Sequence, residues 1–197
     1  MIVNKRIFLI FLAVHFCFFM AFTNDEWFWI LFPFLYLILI AISMTAPFQA
    51  RMSIKQLIAG ALSGLALYGV FVFGYRILLY TPLPIKGYVH DLYASIGPSV
   101  WWQHGLIWLI IAGEEFFWRF FIQKNVLGEF GTIKRILLAT GLYTSVHLYS
   151  FNPLLILAAI TGGIYWGWLY EKTRNIYTVI ASHLVFDLFL LYILPFN

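Results

Sequence analysis

Six ionisable residues sit inside apolar stretches of this chain: Glu114, Glu115 and Arg119 in one, His147 in a second, and His183 and Asp187 in a third. A charged side chain at the centre of a bilayer costs on the order of 3 kcal/mol even on the lenient insertion scale, so acids placed there imply water, partners or chemistry. Glu115 and Arg119 are four apart and share a helical face, where the guanidinium can neutralise the carboxylate. Glu114 is turned by about 100° from its neighbour, which leaves it free to face another helix as a general base. His183 and Asp187 are also four apart, so the carboxylate can orient the imidazole and fix its tautomer. A Glu base, two His groups and a carboxylate behind one of them suffice to deprotonate a bound water and to stabilise an oxyanion on a peptide carbonyl.

No side-chain nucleophile accompanies them. Cys17 lies in a distant apolar run and reads as a small packing residue, while Ser145 and Ser182 point about 200° and 100° away from their neighbouring histidines on a helix. A water nucleophile with no cofactor is the simpler reading. Two His and two carboxylates could also hold zinc, but the chain has no H-E-x-x-H, in which two ligands and the base share one helix.

The elements that must carry these groups are membrane helices. With 63% hydrophobic and 10% charged residues among 197, the chain is far from the roughly 25% charged composition of soluble domains. The expected architecture is an all-α polytopic bundle forming one domain over residues 1–197, with spans at 7–23, 27–46, 55–79, 100–123, 134–151, 153–170 and 176–195. These give seven crossings, or eight if the connection 80–99, with Pro82, Pro84, Gly97 and Pro98, forms a re-entrant or interfacial helix. The first run lacks an A-x-A-like cleavage site and reads as a retained helix.

Lys5, Arg6, Arg51, Lys55, Lys124, Lys134, Arg135, Lys172 and Arg174 then fall at one end of the bundle and Lys86 at the other. The excess of Lys and Arg marks a cytoplasmic amino terminus in a multi-pass cell-membrane protein. The net charge of +4 lies in these short loops rather than on one solvated face, which argues against a nucleic-acid partner. Gly60 with Gly64 and Gly163 with Gly167 form small-xxx-small faces for close helix approach. His15, His90, His104 and Arg76 read as structural or interfacial. Counted from the basic loops, Glu114, His147, His183 and Asp187 lie 9 to 13 residues in, which is one layer about 14 to 20 Å deep.

In order, these residues resemble the CAAX protease and bacteriocin-processing (Abi) family of intramembrane glutamic endopeptidases. Its E-E-x-x-x-R motif appears as Glu114-Glu115-Phe116-Phe117-Trp118-Arg119, its F-x-x-x-H as Tyr143-Thr144-Ser145-Val146-His147, and its H-x-x-x-N/D as His183-Leu184-Val185-Phe186-Asp187. The resemblance covers about 106–190 as a catalytic core, including the turn Glu171-Lys172-Thr173-Arg174-Asn175. It implies a metal-independent endopeptidase in which Glu114 activates water with His147 as partner, His183 and Asp187 support the oxyanion, and Glu115, Arg119 and Tyr143 shape the site. Tyr143 departs from the motif's usual Phe by a hydroxyl that could bond to the site. The implied partner is a membrane-associated or hydrophobic peptide or protein, in bacteriocin or peptide-signal processing or self-immunity. The alternatives are a non-proteolytic immunity or scaffold protein that binds a bacteriocin or transporter, and, more weakly, a transporter using the acids as a proton relay.

Overall fold

Apolar runs separated by Pro, Asn, Gly and short charged turns fold as helices, and the computed structural model describes residues 5–97 and 100–196 of them. Pro98, expected in the longest connection, lies outside the described residues. Eight α-helices form among these residues: α1 (Lys5–Phe22), α2 (Asp25–Ser43), α3 (Ile54–Leu78), α4 (Ile85–Ile96), α5 (Trp101–Glu114), α6 (Thr132–His147), α7 (Pro153–Thr173) and α8 (Ile176–Leu188). There is no strand among them. Each of the seven expected spans coincides with a helix, and α4 is the additional helix in the connection between α3 and α5.

Length and apolarity together qualify four helices to cross a membrane: α1, α3, α7 and the stretch Ile176–Ile193 that begins with α8. The other three expected spans are shorter or more polar. The apolar part of α2 is Trp27–Ser43, α6 has 16 residues with Lys134 and Arg135 in its first turn, and the α5 span carries Glu114, Glu115 and Arg119 at its middle. The surface supports a multi-pass membrane protein all the same: Phe8, Leu12, Phe16, Phe34, Ile58 and Leu62 face outward while Glu114, Glu115, His147 and His183 are buried, the inverse of a soluble protein.

Local signals fix the helix ends that matter for the site. Asn152 and Asn175 cap α7 and α8, each side chain accepting two backbone N–H groups, with Pro153 pre-set for the first turn of α7. Arg174, at φ 50°, ends α7 in the left-handed conformation and turns the chain into α8. Helices α3 and α8 meet backbone to backbone at the predicted glycine face: a Cβ on Gly60 would lie 2.3 Å from the Thr178 carbonyl oxygen, and one on Gly64 2.1 Å from that of Ser182. The second glycine face works similarly, Gly163 against Thr140 of α6 and Gly167 against Gln123 and Ile136. The register of α8, and with it the position of His183, therefore depends on Gly64.

Helix α5 runs without a break into a π-helical stretch, Glu115–Val126. Wide helical turns of this kind are rare and concentrate at functional sites. The change of winding falls between the two adjacent glutamates.

Candidate active site

Glu114 projects between α2 and α6. The Tyr36 hydroxyl donates to its Oε1 at 2.9 Å and the Tyr143 hydroxyl donates to its Oε2 at 2.9 Å. Glu115, on the π-helical side of the change in winding, turns instead to α8, where its Oε1 accepts from His183 Nδ1 at 2.7 Å. Arg119 lies one turn on, its Nε 3.4 Å from Glu115 Oε2, with its guanidinium 5.0 Å from the centre of the Tyr143 ring. The expected Glu115–Arg119 pair thus forms as an ion contact, although its geometry falls short of a hydrogen bond.

The ring of His183 is stacked on Trp166 at 3.6 Å between centroids, and its Nε2 lies 3.9 Å from Glu114 Oε2 and 3.7 Å from Asp187 Oδ2. One expectation is corrected here. Glu115, and not Asp187, makes the hydrogen bond that orients this imidazole, because Asp187 one turn along α8 stays beyond hydrogen-bond distance. Both carboxylates still bracket the ring, and in its charged form His183 would donate from Nδ1 to Glu115 and from Nε2 toward the cavity.

His147 closes α6. Its Nδ1 lies 2.8 Å from the Tyr143 carbonyl oxygen, which can only accept, so the ring carries its proton there and presents the Nε2 lone pair. Phe18 and Tyr143 pack edge-on against the ring and hold its plane.

Glu114, Tyr143, His147, His183 and Asp187 all line one cavity of about 330 Å³ whose walls are otherwise largely apolar, among them Phe32, Phe71, Ile111 and Leu155. Apolar walls with a few converging polar groups are the usual construction of a ligand site. Every residue singled out from the three motifs is thus in or against one site. Among the described residues no set of three or more His, Cys, Asp or Glu groups is arranged to hold a metal ion.

Residues 96–189 match the family model described as type II CAAX prenyl endopeptidase Rce1-like. The matched segment is similar to that family. All three motifs fall inside the Rce1-like segment, so the CAAX-protease resemblance and a protease of that type are supported at family level. No curated protein and no solved structure matches the chain.

Tyr36 lies outside the Rce1-like segment, and sequence reasoning missed it. A lone Tyr in an aromatic-rich helix carries no spacing signal, and only the partner on α5 shows what its hydroxyl does. The other polar residues weighed earlier lie elsewhere. His104 bonds Tyr192, His15 bonds Tyr149 and Ser145, and Ser182 bonds Ser63 and accepts from Trp166.

Proposed function

We propose that the chain is an intramembrane endopeptidase that hydrolyses a membrane-associated or hydrophobic peptide with water activated by Glu114 and His147, without a metal. The observation that carries this reading is a largely apolar cavity onto which a carboxylate without a cationic hydrogen-bond partner, an imidazole with a free Nε2 and a second imidazole bracketed by acids all converge.

Water held between Glu114 and His147 Nε2 gives up a proton to this pair as its oxygen attacks the scissile carbonyl. Charge then develops on the carbonyl oxygen, and His183 Nε2–H is the donor facing the cavity that can meet it, held in place by Glu115 at Nδ1 and accompanied by Asp187. Collapse of the tetrahedral intermediate breaks the C–N bond, and the proton taken from water passes to the leaving amine. The products are a carboxylate and an amine, and no co-reactant besides water is needed. Arg119 offsets the charge of Glu115, so that three carboxylates in one site do not face one another uncompensated. The setting proposed is processing of a bacteriocin or signal peptide, or self-immunity.

The test compares peptides, by mass spectrometry of cells and medium, between strains carrying the native protein and Glu114→Gln at matched expression. A precursor that accumulates only with Glu114→Gln, with its cleaved product lost, supports proteolysis and identifies the substrate. Indistinguishable profiles, in a background where deletion of the whole protein still gives a phenotype, would replace the catalytic reading by a binding or scaffold role.

A further inference from the structure

The cavity has a direction. From Glu114 it runs only one way along the bundle, between the last turns of α1 and α3 (Phe22, Leu78), the first turns of α2 and α7 (Phe28, Leu154), the face of α4 (Leu92) and the extension of α8 (Leu190). These ends are tied to one another. Asn152 at the start of α7 donates to the Tyr88 carbonyl oxygen of α4, and the Tyr93 hydroxyl of α4 donates to that of Leu190. Helix α4 buries Ile85 and Val89 and leaves Lys86 exposed, so it lies along the rim of the mouth.

The opposite way is closed. Immediately beyond Glu115 the π-helical stretch fills the bundle with Phe117, Trp118, Arg119 and Phe120, none more than 1% exposed. Below them Gln123 donates to the Gly167 carbonyl oxygen and to Glu171, and Glu171 also accepts from Arg135 and pairs with Arg174. This closed end carries Arg51, Lys55, Lys124, Lys134, Arg135, Lys172 and Arg174, and Asn175 ties it together by donating to the Arg51 carbonyl oxygen. Short loops rich in Lys and Arg stay on the cytoplasmic side of a membrane, because translocating them is unfavourable.

We infer that the cavity opens on the extracytoplasmic face, so that its substrate is a peptide displayed on the outer side of the membrane or held in the outer leaflet rather than the cytoplasmic tail of a membrane-anchored protein. The inference rests on the proposed hydrolytic role of Glu114 for the word substrate, and on the geometry and charge distribution alone for the side. The largely apolar walls between the mouth and Glu114 suit an apolar segment threaded from that face.

The test is labelling by a sulfonated, membrane-impermeant maleimide in a Cys17→Ala background. Leu92→Cys, at the mouth, and Lys86→Cys, on the exposed side of α4, are expected to label in intact cells at least tenfold faster than Lys134→Cys, which labels at the same rate only after permeabilisation. Labelling of Lys134→Cys in intact cells, or of both α4 variants only after permeabilisation, overturns the inference. Failure of Leu92→Cys to label from either side while Lys86→Cys labels from outside overturns the open mouth. Labelling does not depend on turnover. A chain whose Glu114→Gln variant leaves every peptide unchanged still reports its mouth, and a mouth on the wrong side leaves the hydrolytic reading standing.

Discussion

Glu171 and Glu114 are acids of one bundle whose side chains are both largely shielded, and their surroundings are opposite. Glu171 accepts from Gln123 at one oxygen and from Arg135 at the other, which also lies 2.9 Å from Arg174, and it does not line the cavity that Glu114 lines. Glu114 has no cation within hydrogen-bond distance; it holds two phenols, and its nearest nitrogen partner is His183 Nε2 at 3.9 Å across a cavity. A charge saturated by cations in a closed site ties helices together, whereas one left with neutral donors beside open space can accept a proton from something that enters. Burial of charge alone therefore does not mark a site. The state of its partners does.

The largest effects should separate the two acids completely. Glu114→Gln is expected to lower peptide cleavage by at least about 100-fold, the usual loss when a general base is removed, with the unfolding temperature in detergent unchanged. Glu171→Gln should do the reverse. It strands Arg135, whose side chain is 12% exposed, and lowers stability by up to about 3 kcal/mol, the low end for breaking a buried pair because Arg174 is 56% exposed, while cleavage per folded molecule holds. Activity lost in both variants at equal stability would erase the distinction between clamp and base.

Gly64 sharpens the contrast from the side of packing. A methyl group there meets the Ser182 carbonyl oxygen, a backbone atom that cannot swing aside, so Gly64→Ala must push α3 and α8 apart next to His183. The expected cost is about 1–3 kcal/mol, the usual range for overpacking, with cleavage falling more than the loss of folded protein accounts for. Gly69→Ala, where a Cβ meets nothing within 4 Å, is the control and should change neither.

How far the sequence carried this picture follows from which physical signals are local. Helix positions and the glycine faces are written in apolar runs and residue spacing, and the structure agrees with both; Glu114, His147 and His183, expected at one depth, line one cavity. Crossing number was less legible, because α6 and the α5 span are shorter or more polar than a length rule allows. The partner of His183 was misread for a related reason. Spacing i to i+4 pointed to Asp187, while the bond goes to Glu115 on another helix, where the change to π-helical winding re-aims the side chain. Tyr36 was invisible for want of any local pattern, since its role exists only across the interface between α2 and α5.

The smallest and most discriminating effects concern the two phenols that set Glu114 apart from Glu171. Each hydroxyl supplies one hydrogen bond to the carboxylate, a kind of bond worth about 1.5–3 kcal/mol when one partner is charged. Tyr143→Phe alone should lower kcat/KM by less than about tenfold, because Tyr36 still holds Oε1, and the same holds for Tyr36→Phe with Tyr143 on Oε2. The double variant leaves the carboxylate without either anchor, so its loss should exceed the product of the single losses, falling on kcat rather than on KM. Effects that multiply without excess, or that fall on KM, would mean that the phenols shape the cavity wall and do not hold the base. His104→Phe, which removes the bond to Tyr192 away from the cavity, sets the baseline and should change kcat/KM by less than about twofold.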